Sequence, residues 1–365
     1  MSSLEISVND ALTDPTAPAR AVQRAGGRVI GFVGADVPVE LIVAADAFPL
    51  LLPAQAPGPT PRADAYLEPS FAPLERSIAE QWLRGSFDFL ESVVFSRAHD
   101  SAQRLYYYLC ELQRRKLCGG PQPLLYDLAK ISRPSSADYT HGATQRLAQR
   151  LGTRTDTLSA SIALRNRRRE LLRQLQGRRR QTAAPSGALV ERIGRAADCC
   201  DANQFDQALA QWLAVAQPEH VGPRLVLAGS APADARLHEA VERAGGLVVA
   251  EVGDHALERL GAPIVCDGDP MAALSRHYHA LPYGSRASTD RALELLGQVR
   301  ATRAQAVIFW LLEEEEAAIW DFPAQQRQLR EHGIPMLALT RCRWDTSDGA
   351  LDSVRAFTLK HGAQS

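Results

Sequence analysis

The feature that most constrains this chain is an alternation of short apolar runs with amphipathic stretches of helical period, and the alternation occurs twice. RVIGFVG (28–34) is an apolar run closed by glycine. PVELIVAADAFPLLL (38–52) follows with helical spacing and is expected to be a helix stopped at Pro49. PAQAPGPTPRAD (53–64) is too rich in proline for regular structure. LERSIAEQWLRG (74–85) then reads as a helix ending at Gly85, FLESVVFS (89–96) as a strand, and SAQRLYYYLCELQRR (101–115) as a helix. Strands that take turns with helices build parallel sheets covered by helices on their faces.

The same pattern returns after residue 220. PRLVLAGS (223–230) and LVVAEVGD (247–254) read as strands around the helix ARLHEAVERAGG, and AQAVIFWLL (304–312) and IPMLALT (334–340) repeat the theme around QQRQLREHG. Between the two halves no convincing strand is found. The fold class expected is therefore α/β, with two Rossmann-like parallel-sheet domains over 1–140 and 219–365 and an additional helical segment over 141–218. In such folds ligand loops gather in a cleft at the carboxyl ends of the strands.

Charge narrows the range of partners. Lys and Arg number 41 against 42 Asp and Glu, a net charge of -1, so no overall field favours nucleic acid or an anionic membrane. DTLSASIALRNRRRELLRQLQGRRR (156–180) is a basic helix with no aromatic residue to stack on bases, and its charges are expected on a solvated face. No stretch has the roughly 20 apolar residues that a membrane helix needs, and MSSLEISVND lacks the features of a secretory leader, so a cytoplasmic protein is expected.

Six cysteines, at 110, 118, 199, 200, 266 and 342, show no spacing typical of zinc or of a disulfide framework. Cys266 in CDGDP has acidic neighbours, which raise a thiol pKa and make it a poor nucleophile. Cys199–Cys200 falls on a predicted helix and reads as packing. No Walker loop, nucleophile elbow or Ser–His–Asp order supports an NTPase or a hydrolase.

Read in order, several segments resemble the 2-hydroxyacyl-CoA dehydratase and benzoyl-CoA reductase family. Pro38, Glu40, Leu41, Ile42, Ala44 and Ala45 occupy its opening pattern, with Asp46 where glycine is usual. ALRNRRRELLRQL resembles its central helix with Asn-x-x-Arg, and DPMAALSRHYHALP its Asp-Pro segment with a later Arg-x-Tyr. AQAVIFWLL and HGIPMLAL resemble its closing strands. The resemblance implies a subunit of a homo- or heterodimer with a homologous partner, acting on a CoA thioester through ketyl-radical chemistry. It also implies a four-iron four-sulfur cluster held by three cysteines and supplied with electrons by a separate ATP-dependent activator.

The cluster positions depart from that pattern. In SFAPLERS the first matching position is Ala72, in SVVFSRAHDSAQR the expected Cys-Asp pair is His99-Asp100, and in WLLEEEEAAIWDFP the third position falls at Glu314 or Glu315. No cysteine precedes residue 110, so a shift of register restores none of the first two. The expectation is a cluster-free chain that supports a cluster-bearing subunit or binds acyl-CoA. The alternative is an independent acyl-CoA-binding protein or enzyme that uses a His and carboxylate site. His99, Asp100 and Glu40 are the candidate catalytic residues, and Gly34, Asp36 and Glu40 the candidate substrate-binding residues. A non-cluster metal at His99, Asp100 and the glutamates is the sharper reading of that acidic run; a solvated helix start is the plainer one. For Glu40 the plainer reading is a favourable place at a helix N-terminus.

Overall fold

The computed structural model describes residues 2–55, 57–216, 218–254, 256–284 and 289–362. Helices α1 (Ser3–Thr13) and α2 (Ala17–Arg24) lead into β1 (Arg28–Val33), a short α3 (Val39–Val43) and β2 (Ala47–Leu51). Then come α4 (Pro61–Asp64), α5 (Pro73–Leu83), β3 (Ser92–Ser96), α6 (Asp100–Arg114) and β4 (Gln122–Tyr126). Four helices follow without a strand: α7 (Pro134–Leu151), α8 (Thr155–Arg179), α9 (Gly187–Ala196) and α10 (Ala202–Leu213). The second half holds β5 (Arg224–Gly229), α11 (Arg236–Arg243), β6 (Leu247–Val252), α12 (Pro270–Ala280), α13 (Arg291–Thr302), β7 (Ala306–Leu312), α14 (Glu316–Glu331), β8 (Met336–Cys342) and α15 (Ala350–Gly362).

The strands form two four-stranded, all-parallel sheets with matching orders, β2-β1-β3-β4 and β6-β5-β7-β8. The α/β expectation holds, and the central strands show why. Every residue of β3 and β7 is buried, as strands covered on both faces require. In the first sheet one face packs on α2, α5 and α6 through Trp82, Phe87, Phe95 and Leu105. The other face packs on α3, α7, α8 and α12 through Ile30, Val94, Leu147, Ile162 and Leu274.

Two local expectations are corrected. AFPLL is a strand and not the end of a helix: α3 stops after one turn, and β2 pairs with β1 with Pro49 opposite Ile30. Proline is tolerated there because β2 is an edge strand, whose missing N–H costs no ladder bond on the open side. β4 was not expected from the sequence, because QPLLY is a short apolar run with no alternation to mark it.

The third correction concerns the basic helix. Arg165, Arg168, Arg169 and Arg179 of α8 are buried, while Arg167, Arg173 and Arg180 are exposed. Arg165 Nη2 donates to Asp198 at 3.0 Å, and Arg168 Nε to Asp206 at 2.6 Å. Arg179 makes a two-pronged contact with Glu251 on β6 at 2.5 and 2.6 Å. Burying a guanidinium is costly unless it is paired, and each buried one here has a carboxylate. The cationic face is thus turned inward as a brace linking α8 to its neighbours.

Chain order and packing also diverge. Ile264, Met271, Leu274, Tyr278 and Leu281 come late in the sequence, yet they bury themselves in the core of the first sheet. Early α1 joins α9 and α10 through Leu4, Val8 and Ala11. No helix among the described residues is long and apolar enough to cross a membrane.

Candidate functional site

A cleft of about 1600 Å³ opens between the two sheets. It is bordered by the carboxyl ends of β1, β2, β5, β6 and β7, at Gly34, Leu51, Gly229, Val252 and Leu312, and by His99, three residues beyond β3. Ligands of open parallel sheets bind at strand ends of this kind. Gly34 is required by geometry, since it has φ +106° and a Cβ there would lie 2.7 Å from the Cβ of Ser96. Gly284 brings the loop after α12 against the His99 turn: a Cβ on it would stand 2.4 Å from the Ala98 carbonyl oxygen.

Three helices begin at the positions singled out in the sequence. Ala72 is the N-cap of α5, His99 that of α6 and Glu315 that of α14. The positive ends of helices favour negative charge nearby. His99, Asp100, Glu314 and Glu315 line the cleft, as does Glu75 from the first turn of α5. Ala72 is buried and supplies only a methyl group.

The electrostatics of this corner are those of proton-binding groups. His99 Nδ1 lies 3.6 Å from Glu75 Oε1, and Glu75 Oε2 has no hydrogen-bond partner among the described residues. Burial raises the pKa of Glu75, an effect partly offset by His99. For His99 burial acts downward, but the carboxylates of Glu75, Asp254, Glu315 and Asp36 outweigh it and hold the imidazole above its ordinary value. Burial pushes Glu315 up to about 7, tempered by His99 and Ser230. Ser230 Oγ accepts from the Leu312 N–H at 3.0 Å, which fixes the hydroxyl at the mouth of β5.

Of the other candidate residues, Gly34 lines the cleft, whereas Asp36 and Glu40 lie outside its lining. Asp36 is fully buried and sits 3.6 Å from Lys130 Nζ; burial raises its pKa, with the lysine acting against the rise. Glu40 is buried behind the wall, where Oε1 accepts from Arg169 Nη2 at 2.6 Å and Oε2 from the Tyr278 hydroxyl at 2.8 Å. Burial opposes its charge, but Arg169 and Arg165 hold the carboxyl below the ordinary range. Asn166 joins the cluster by exchanging hydrogen bonds with the backbone of Ile264 at 2.8 and 2.7 Å and accepting from Arg169 at 3.2 Å. Three dispersed sequence motifs therefore meet as one internal brace.

Glu75, Ser230 and Asp254 were missed by sequence reasoning. Glu75 looks like any polar position of an amphipathic helix. Its one signal is its place three residues after Ala72, inside the very segment matched to a ligand position.

The residues do not fit a four-iron cluster, which requires thiolates. Of the six cysteines Cys199 alone lines the cleft, and burial pushes its thiol up to about 12. Among the described residues no group of three or more His, Cys, Asp or Glu side chains is arranged to hold a metal ion.

Two parallel sheets of matching order, with helix-start loops facing a shared cleft, define an α/β protein of the two-unit, inter-sheet-site class. Residues 35–355 match the family model described as 2-hydroxyglutaryl-CoA dehydratase, D-component, and the chain belongs to that family. No curated protein matches it.

Proposed function

We propose that this chain is a cluster-free member of the dehydratase family that binds a CoA thioester in the inter-sheet cleft, as one subunit of a homo- or heterodimer with a homologous partner. The observation that carries this reading is the occupancy of the three helix starts: Ala72, His99 and Glu315 stand where the family pattern calls for cysteines. With no thiolate there, the radical step belongs to a cysteine-bearing partner or is lost.

The shape and polarity of the cleft support a thioester ligand. At about 1600 Å³ it exceeds the roughly 300–1,000 Å³ of an ordinary small-ligand pocket, leaving room for a long arm. Arg192 and Arg195 of α9 and Arg236 of α11 line one part of it, suited to phosphate oxygens. Exposed Trp320 stands at its edge, and Leu51, Leu52, Leu74 and Ile78 supply an apolar wall. Equilibrium dialysis with acyl-CoA thioesters, together with iron and acid-labile sulfide analysis of anaerobically purified protein, tests the proposal. Binding without iron and sulfide is expected; stoichiometric iron and sulfide would overturn it.

A second reading is an independent acyl-CoA-binding protein or enzyme that uses His99 and carboxylates in place of the cluster. The contact between His99 and the buried Glu75, with Glu315 close enough to interact, favours it. Activity of the isolated chain in the absence of iron would select this reading, and inactivity without a cysteine-bearing partner the first.

A further inference from the structure

The corner where the three helix starts meet holds proton-transferring side chains. We propose that His99 and Glu315 form an acid–base pair, with Glu75 as the positioning residue, that adds and removes water across C2–C3 of an uncharged 3-hydroxyacyl or 2-enoyl thioester. This inference rests on the thioester reading above and adds to it a reaction and a substrate class.

Several observations point the same way. Glu75 lines the cleft yet is only 2% exposed, and its buried Oε2 has no hydrogen-bond partner among the described residues. A carboxylate kept out of water without a hydrogen-bond donor is unfavourable unless it serves a neighbouring charge. His99 is that neighbour: its Nδ1 faces Glu75 Oε1 at 3.6 Å, which leaves Nε2 as the nitrogen for a ligand. Glu315, beside Ser230 and pushed up to about 7 by burial, still carries its proton in a substantial fraction of molecules near neutral pH and can donate it. The N-terminal ends of α5 (11 residues), α6 (15 residues) and α14 (16 residues) favour negative charge developing on the thioester oxygen.

The chemistry selects the position of the hydroxyl. Loss of water from a 2-hydroxyacyl thioester takes hydrogen from C3, which the carbonyl does not acidify, so an imidazole cannot remove it. In a 3-hydroxyacyl thioester the hydrogen lost is on C2, where the carbonyl accepts the electron pair. In the fraction of molecules with His99 neutral and Glu315 protonated, His99 Nε2 takes that proton and the C2–H electron pair becomes the C2=C3 bond. The C3–O bond breaks with its electrons going to oxygen, and the hydroxyl leaves as water with the proton of Glu315. Solvent then carries the proton from His99 to Glu315. No electron is gained or lost.

Charge selects the acyl group. The groups facing His99 are Glu75 from α5, Asp36 after β1, Asp254 after β6 and Glu315 from α14. Asp254 is balanced by Arg291 at 3.1 Å and Asp36 by Lys130 at 3.6 Å, whereas among the described residues the carboxylate of Glu75 has only His99 within ion-pair distance, with Arg104 acting on it from further away. An acyl chain carrying its own carboxylate would meet repulsion there.

The test uses the purified full-length chain with crotonyl-CoA in D2O. The expected result is decay of the enoyl absorbance and 3-hydroxybutyryl-CoA with deuterium at C2, with His99→Gln and Glu315→Gln each slowing hydration by about 100-fold or more. Glu75→Gln should lower kcat and move the His99 limb of the pH–rate profile to lower pH, a shift that lost packing alone would not cause. Equilibrium dialysis of the same thioester is run in parallel. Binding without hydration, or hydration untouched by both variants, overturns this inference and leaves the thioester reading standing. Failure to bind overturns both. Should His99→Gln not fold, the wild-type profile decides: a bell shape supports the pair and a flat profile overturns it.

Discussion

Arg169 on α8 and Glu40 on α3, 129 residues apart in sequence, meet at 2.6 Å in the interior, and the hydroxyl of Tyr278 on α12 lies within hydrogen-bond distance of both. Arg169 also donates to the Leu260 carbonyl at 3.1 Å. One guanidinium thus ties together a helix of the first sheet, the long central helix and the segment that returns from the second half. The brace fixes the wall behind the cleft while its charged groups stay out of the cleft itself.

Removing one side of that pair leaves the other charge buried. Arg169→Met is expected to destabilise the protein by about 3–5 kcal/mol, and Arg169→Met with Glu40→Leu by much less than the sum of the single changes. Urea unfolding of the two single variants and the double variant measures the coupling; additive losses would show that the contact carries no such weight.

The same pair sets an acid limit. Arg169 and Arg165 hold Glu40 below the ordinary carboxylate range, and Arg165, Arg259 and Arg168 do the same for Asp198, in both cases against burial. A carboxyl with a depressed folded-state pKa stabilises the fold above its unfolded pKa, and that contribution is lost as pH falls through the folded value. The melting temperature is therefore expected to drop as pH falls below the ordinary carboxylate range, less steeply in the Arg169→Met, Glu40→Leu double variant. Scanning calorimetry across acid pH checks this.

Glu315 works in the opposite sense. Its folded pKa is raised from 4.5 to about 7, so the folded state holds the proton more tightly and stability falls as pH rises between those values. Glu315→Gln is expected to be more stable than wild type near pH 8, by on the order of 1–2 kcal/mol, with the gain shrinking toward pH 4. Denaturant titrations at both pH values test it. Equal stability at pH 8 would place the glutamate in water.

The cysteines should differ sharply in reactivity. Cys266 is exposed, although slight burial and then Asp267 and Asp269 raise its pKa. Cys199 and Cys342 are buried, with thiols pushed up to about 12 and about 11. A disulfide reagent at mildly alkaline pH should modify Cys266 first, leaving Cys199 and Cys342 unreacted until denaturant is added. Loss of the first reacting equivalent in Cys266→Ser, read by mass spectrometry, would establish the assignment.

Much of the framework was legible in the chain because strands buried on both faces leave continuous apolar runs. RVIGFV, SVVFS, RLVLAG, LVVAEV and AVIFWLL each appear as strands. The helix starts carrying Ala72, His99 and Glu315 were also readable, because ordered motifs located them. Where a segment's state depends on its neighbours, the reading failed. AFPLL and LIVAA are equally apolar, and only the open edge beside β1 makes the first of them a strand.

What the sequence by itself determined is the α/β alternation, the family and the absence of thiolates at the three helix starts, since these depend on residue identity and local period. Tertiary structure alone decided which charges are structural and which face the cleft. The arginines of α8 look solvated until Asp198, Asp206, Glu40 and Glu251 arrive from distant elements to pair with them. Glu75 looks ordinary until α6 brings His99 to 3.6 Å. The physical reason is that the cost of a buried charge is set by partners remote in the chain, and local sequence carries no record of who those partners are.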